Sequence, residues 1–380
     1  MKKRIFALIL SFLALFQPWT AYASGLWVSA SCAVLMCADT GEVLYSKNPH
    51  EKRSMASTTK IITALLAVRE ATPEREITVT KEMVSVEGTS MGLLPGDKVS
   101  LRELIYGMLL SSGNDAANTV ACVLGGSPEG FAVMMNEQAD LIGMEDTNFV
   151  TASGLDSEGH YSTAYDMALL ASECIKDPLF REVCSSRTAK LSYGNPPYLR
   201  TLSNHNRLLW SCEGVIGVKT GFTRKSGRCL VSAAERDGVT LVAVTLNAPD
   251  DWNDHIRMLE YGFDTVEAER YEFDASVYEV SVYGGTKASV AVHATEAPVL
   301  VKQSKIYETV VLMSPYVYAP VNKGQILGKV LIRYGGKTVA EIPLAASADS
   351  AVKPKTVNEE KPKGYFASLF QKIKDYFVQR

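Results

Sequence analysis

The 380-residue chain is 47% hydrophobic and 21% charged, with 39 basic residues against 42 acidic ones. These values exclude a collagen-like fibre, a disordered tail protein and a polytopic membrane protein. A net charge of −3 lacks the basic footprint of a nucleic-acid binder, and the length leaves room for two or three domains.

Taken in chain order, basic Met1–Arg4, apolar Ile5–Phe16 and the Ala21-Tyr22-Ala23 end predict a secretory signal peptide over residues 1–23. An uncleaved anchor is the alternative, but the apolar run is short for a membrane span. Ala33–Cys37 and Val43–Tyr45 flank the turn signal Asp39-Thr40-Gly41 and predict a hairpin. Apolar spacing predicts helices over 58–70, 101–111, 115–123, 129–142 and 163–176. Residues 215–218, 229–232 and 239–246 read as adjacent antiparallel strands, and a helix over 253–263 closes the first domain. Short alternating strands follow at 277–283, 287–293, 308–313, 329–334 and 337–342, with hairpin turns at Gly284-Gly285 and Gly335-Gly336.

The stretch from Asp349 to Lys363 is Ala/Lys/Pro/Glu-rich and reads as a solvated linker. Behind it, Phe366, Leu369, Phe370, Ile373 and Phe377 recur on one helical face, with Lys372, Lys374 and Arg380 on the polar side. A basic amphipathic helix on a tether predicts a segment lying in a membrane interface; a helix docked on its own domain is the alternative. The seven cysteines all precede residue 230, and none has zinc-ribbon spacing. They read as mostly free and buried, with Cys122 and Cys174 as small core hydrophobes; a single bridge is the alternative.

Three short motifs occur in order: Ser57-Thr58-Thr59-Lys60, Ser112-Gly113-Asn114 and Lys219-Thr220-Gly221. Each is weak alone, since Ser350–Lys353 repeats the first pattern and Ser46–Asn48 the second. Context separates them. Ser57 stands where a loop enters an apolar helix, one turn from Lys60; Ser112 sits at a break between helical runs; Lys219 ends an apolar strand.

A serine hydroxyl is a poor nucleophile until a base takes its proton. Lys60 can do so once burial and a second cation, Lys219, favour its neutral form. The helix N-terminus at Ser57 disfavours an ammonium nearby and offers N–H groups to an oxyanion. Ser112 can relay the proton to a leaving amine while Asn114 holds a substrate amide. Lys219, Thr220 and Thr223 offer a cation and hydroxyls to a carboxylate, and Gly221 permits close backbone approach. The arrangement calls for no metal and no cofactor.

This trio, with Leu110–Ala117 and Gly217–Thr223 around its later members, resembles the serine D-alanyl-D-alanine carboxypeptidases, the S11-type low-molecular-mass penicillin-binding proteins. The resemblance implies an α/β (α+β) fold. A β-lactamase/transpeptidase-like domain, an antiparallel sheet flanked by helices, would span 24–268. A small all-β domain over 269–348, the linker over 349–363 and an amphipathic anchor over 364–380 would follow. It implies catalytic Ser57, Lys60 and Ser112, with Ser57 as the acylated nucleophile. Asn114, Lys219, Thr220, Gly221, Phe222 and Thr223 would bind substrate, and the N–H groups of Ser57 and Phe222 would form the oxyanion hole. The implied partners are peptidoglycan stem peptides, β-lactams as covalent inhibitors, and a membrane surface; the implied location is the outer face of the cytoplasmic membrane. The basic-poor stretch from Asn247 to Asp254 leaves a further carboxylate-binding arginine unassigned.

Two readings compete. A β-lactamase shares the acylation but needs a dedicated water-activating group, and no acidic residue is placed convincingly for one. A catalytically silent wall-binding protein would work through the β domain, against the intact trio. Gly88–Gly92 matches a G-x-S-x-G nucleophile elbow, yet Pro95-Gly96 breaks the helix that motif needs, so the segment reads as a loop on the rim of the cleft. His160 reads as structural, and Asp166 as a helix-surface charge.

Overall fold

The computed structural model describes residues 26–70, 72–302 and 307–354, together with Lys374. The expected signal peptide lies outside the described residues, as does the 364–380 segment apart from Lys374.

The central sheet grows from runs that are apolar on both faces. In β1 (Cys32–Cys37), Cys32, Val34 and Met36 enter one core while Ala33, Leu35 and Cys37 enter another, which is why the run does not alternate with polar residues. It pairs antiparallel with β2 (Val43–Lys47), as the hairpin signal predicts. A 3-10 turn over Ala56–Thr59 leads into α1 (Lys60–Val68), so the predicted helix begins as a tighter coil. Next come β3 (Glu76–Thr78), a short α2 (Lys81–Val84) and β4 (Lys98–Ser100), which pairs with β3. These pieces are too short to carry a legible period.

The helices of the next stretch follow their caps. In α3 (Leu101–Leu109), Ser100 Oγ accepts from Glu103 N–H while the Glu103 carboxylate accepts from Ser100 N–H. α4 (Asn114–Gly125) ends at left-handed Gly126, and α5 (Pro128–Ile142) carries proline in its first turn. Thr163 caps α6 (Ala164–Cys174), and α7 (Pro178–Ser185) follows.

A hairpin that the sequence reading did not find, β5 (Thr188–Gly194) with β6 (Pro197–Ser203), comes next. In β5, inward Ala189, Leu191 and Tyr193 alternate with exposed Thr188, Lys190 and Ser192, whereas Leu202 is the one buried residue of β6. Arg200 on β6 stacks between the Tyr193 and Tyr198 rings, 4.1 Å from each, and donates to Gly92 O at 2.7 Å.

After the single turn α8 (Leu208–Ser211), β7 (Val215–Thr223), β8 (Gly227–Arg236) and β9 (Val239–Leu246) complete an antiparallel sheet in the order β2-β1-β9-β8-β7. β7 runs further than its apolar residues predict. Thr220, Phe222 and Thr223 still pair with Leu230, Arg228 and Gly227, because pairing rather than hydrophobicity sets a strand's end. α9 (Asp251–Thr265) covers one face of the sheet, and α6 and α7 cover the other.

The first compact unit comprises Met1–Arg270 with Val299–Ile306, and the second comprises Tyr271–Pro298 with Tyr307–Arg380. Each unit is therefore discontinuous in the chain, the second being interrupted by Val299–Ile306. β10 (Glu267–Arg270) pairs with β13 (Val299–Lys302), and Val301 enters the core of Leu35, Leu241 and Met258. Burying that apolar residue draws the strand back to the first unit. The second unit holds β11 (Glu279–Tyr283), β12 (Ser289–Ala294), β14 (Glu308–Met313), β15 (Tyr316–Tyr318), β16 (Ile326–Tyr334) and β17 (Lys337–Ala346). They form a six-stranded sheet in the order β14-β16-β17-β12-β11-β15, with Val280, Val290, Val330 and Ile342 buried. The five predicted strands are present, and β15 is additional.

All seven cysteines are unpaired thiols. Cys32, Cys37, Cys174, Cys184 and Cys229 are buried, while Cys122 and Cys212 are half-buried.

Candidate active site

Ser57 lies in the 3-10 turn, directly after Ala56, whose φ of +49° is a left-handed value for a residue other than glycine. Backbone held in such a conformation needs surrounding structure to enforce it. One turn on, Lys60 is completely buried, and its Nζ lies 3.0 Å from Ser57 Oγ, 2.6 Å from Asn114 Oδ1 and 2.7 Å from Ser153 O. The amide and carbonyl oxygens accept only. A neutral amine therefore gives its two hydrogens to them and keeps its lone pair for the Ser57 hydroxyl. Burial holds the Lys60 pKa well below the ordinary lysine value, and the Lys219 cation pushes it the same way against the opposing pull of Asp115.

The second motif reaches this turn from the start of α4. Ser112 has φ +60°, and its carbonyl accepts the Thr89 hydroxyl at 2.5 Å. Asn114 N–H donates to Thr89 O at 2.7 Å, while Asn114 Nδ2 donates to Glu87 O at 2.6 Å, so the amide cannot turn its oxygen away from Lys60. Asp115 takes the Met91, Gly92 and Leu93 N–H groups and the Ser90 hydroxyl. The Gly88–Gly92 segment is thus a loop tied to α4 on the rim of the cleft, with no helix behind it.

The third motif lies on β7, against the 3-10 turn that holds Ser57. A Cβ on Gly221 would stand 3.0 Å from Met55 O and Thr58 N and 3.1 Å from Ser57 N, so glycine alone lets the strand come this close. Lys219 is buried and donates to Thr220 O at 2.7 Å. Desolvation lowers its pKa to about 7. Phe222 is exposed, and the Thr223 hydroxyl is held by Ser226 at 3.0 Å.

A cleft of about 650 Å³ is walled by Ser57, Ser112, Asn114, Thr220, Gly221, Phe222 and Thr223. Lys60 and Lys219 stand behind that wall. Asn48 turns to Ser31 O, and Ser350 is buried in the second unit, so neither repeat of the motifs reaches the cleft. Asp166 is no surface charge: it is buried and accepts from Thr147 Oγ1 at 2.6 Å and Asp146 N at 3.0 Å.

Sequence reasoning missed three contributors. The Ser153 carbonyl belongs to the backbone, and no side chain announces it. Asp115 reads as an ordinary first-turn acid. Arg228 is the cross-strand partner of Phe222, lines the cleft beside Trp252, and pairs with the buried Asp251 carboxylate at 2.7 Å. The available signal was a basic residue at the mouth of an apolar strand, three residues after the Arg224-Lys225 pair.

Residues 20–250 match the family model described as D-alanyl-D-alanine carboxypeptidase, peptidase S11, and residues 267–351 match that of the penicillin-binding protein 5 C-terminal domain. The chain belongs to the S11 D-alanyl-D-alanine carboxypeptidase family. It is 34% identical over 341 residues to the D-alanyl-D-alanine carboxypeptidase DacF of Bacillus subtilis, covering 84% of this chain and 85% of the relative. It is 34% identical over 361 residues to DacC of Escherichia coli, covering 88% of each. Penicillin-binding protein 5 from Haemophilus influenzae aligns with a TM-score of 0.61 at 28% identity, over 86% of this chain and 98% of that one. This S11 carboxypeptidase thus has the expected antiparallel sheet flanked by helices, followed by a β-rich unit.

Proposed function

We propose that this chain removes the terminal D-alanine from peptidoglycan stem pentapeptides through an acyl-enzyme on Ser57. The observation that carries the reading is the completely buried Lys60 Nζ, 3.0 Å from Ser57 Oγ and held by Asn114 Oδ1 and Ser153 O; as a free amine it turns its lone pair to the Ser57 hydroxyl. Ser57 Oγ attacks the carbonyl of the penultimate D-alanine as its proton passes to Lys60. The N–H groups of Ser57 and Phe222 hold the oxyanion, beside the approach that Gly221 permits. Collapse breaks the C–N bond, and the amine of D-alanine leaves with a proton returned through Ser112. Water then hydrolyses the ester and frees Ser57.

Thr220, Thr223 and Arg228 take the terminal carboxylate of the substrate, while Lys219 adds its charge from behind Thr220. A β-lactam enters the same site because its strained amide carries a carboxylate in a similar position, and it leaves Ser57 acylated. Export by the 1–23 segment, and attachment to the outer face of the membrane by the 364–380 segment, complete the proposal. Their support is the residue pattern alone.

Intact-protein mass after mixing with penicillin tests the chemistry. A stable adduct that disappears in Ser57→Ala is the expected result. Rapid drug consumption without an adduct would turn the reading to a β-lactamase, and an inert protein would turn it to a silent wall binder. Deleting residues 364–380 should release the mature protein from membranes, and continued attachment would exclude that segment as the anchor.

A further inference from the structure

We propose that His160 is a positioning residue that joins the nucleophile turn to the loop whose carbonyl orients Lys60. The inference rests on the functional reading above. His160 touches neither Ser57 nor the cleft, yet it is 4% exposed and every ring nitrogen is engaged. Its Nδ1 accepts from Val150 N–H at 2.9 Å and Thr151 N–H at 3.4 Å. A nitrogen that accepts two backbone hydrogens carries none of its own, so the proton sits on Nε2. That Nε2–H points at Thr59 Oγ1, 2.9 Å away. Thr59 is part of the turn that holds Ser57 and immediately precedes Lys60.

The segment on the other side of the ring is built around the same turn. A Cβ on Gly154 would collide with Ala56 O and lie 2.8 Å from Thr59 Oγ1, so the two backbones meet without a side chain between them. Ala152 O accepts from Thr63 Oγ1 on α1 at 2.7 Å, and the next carbonyl, Ser153 O, accepts from Lys60 Nζ. Within the segment, Gly154 N–H donates to Thr151 Oγ1 at 3.2 Å. The loop is therefore pinned to α1 by Thr63 and to the nucleophile turn by His160. Lys60 finds its second acceptor only while both pins hold.

The ring must also be neutral. A proton on Nδ1 would evict the Val150 N–H and set a cation one residue from Lys60. Burial keeps the imidazole neutral, with its pKa down to about 4; Asp156 pulls it upward and Lys225 downward. Phe149 packs against the ring edge at a centroid distance of 6.0 Å, which adds to the apolar surroundings.

The consequence is a division of labour that kinetics can read. Without His160, Ser153 O leaves Lys60, water reaches the amine, and its pKa rises toward that of a solvated lysine. The carboxylate contacts on β7 are untouched, so the acylation step slows while the binding that precedes it stays. A misplacement of this kind costs about 10-fold to 100-fold in rate.

The experiment measures the rate of penicillin acylation between pH 5 and pH 10, with kcat and KM on a D-Ala-D-Ala peptide, for the full mature protein and three variants. His160→Ala should slow acylation, move its rise to higher pH and leave the penicillin concentration that half-saturates acylation within twofold. Thr59→Val removes the acceptor and should do the same, and the double variant should be no worse than either alone. His160→Gln keeps a donor at the Nε2 position and should recover part of the rate. If His160→Ala unfolds, Thr59→Val and His160→Gln still report. A folded Thr59→Val or His160→Ala protein with an unshifted pH profile of acylation overturns the proposal, as does an acylation rate equal to that of the unaltered protein. A wild-type protein that forms no adduct would instead sink the functional reading beneath it.

Discussion

Asn114 Oδ1 lies 2.6 Å from Lys60 Nζ, so one buried amine–amide contact fastens the start of α4 to the start of α1. The opposite end of the amide is fixed on Glu87 O at 2.6 Å, which removes the usual freedom of an asparagine to turn over. The contact is directional: it presents to Lys60 an acceptor without a charge, as the proposed neutral base requires. The same residue also lines the cleft, where the substrate amide would meet it.

Asn114→Asp should therefore be worse than its near-identical shape implies. A carboxylate beside Lys60 favours the ammonium and raises its pKa. Each unit of that rise lowers the free-amine fraction tenfold at a pH below both values. Acylation by penicillin at pH 7 should fall by at least about tenfold and recover as pH is raised. A profile that keeps its wild-type position would show that the charge on Lys60 does not govern the step.

Lys219→Met makes a related prediction with a stability readout attached. Removing the cation relieves its push on Lys60, so the rise of acylation with pH should move upward. The Lys219 pKa is depressed in the fold, to about 7, so between that value and the ordinary lysine value the unfolded chain binds more protons than the folded one. Its contribution makes stability increase with pH across that window, and the increase should flatten in the variant. Thermal unfolding from pH 7 to pH 10 checks this, and an unchanged slope would mean that Lys219 is not desolvated as its burial indicates.

Much of this architecture is legible in residue patterns, for identifiable reasons. β1 and β9 are apolar on both faces because both sides of the sheet are covered, and α3 and α5 announce themselves by their caps. The order of the three motifs survives into one cleft. The illegible parts share a cause. The Ser153 carbonyl, the left-handed Ala56 and the approach of Gly154 to the Ser57 turn are backbone features fixed by tertiary packing. The β5–β6 hairpin escaped because β6, with Leu202 as its one buried residue, carries no period to pair with the alternating β5, and β13 because its partner, β10, is polar and lies about thirty residues earlier.

Arg228 and Asp251 allow binding and folding to be separated. Arg228→Met should raise KM about tenfold by removing a charge-assisted contact to the terminal carboxylate. It should also destabilise the fold by about 1–3 kcal/mol, because the buried Asp251 carboxylate loses its partner. Adding Asp251→Asn removes the orphaned charge and should restore most of the unfolding temperature without restoring KM. Recovery of KM in the double variant would assign Arg228 a purely structural role.

Gly221→Ala tests the close approach of β7 to the Ser57 turn. The added Cβ would meet Met55 O, Thr58 N and Ser57 N at 3.0–3.1 Å, so strand and turn must part by a few tenths of an ångström. Such a shift is small for the fold, because β7 remains paired to β8 on its other side. It is large for an oxyanion held between the N–H groups of Ser57 and Phe222, since those donors must sit within about 2.7–3.1 Å of the developing charge. Acylation should therefore fall by about 100-fold, while unfolding changes by only about 1 kcal/mol. An active variant would show that the donors lie elsewhere. A variant equally crippled in folding and acylation would show that the glycine serves packing before chemistry.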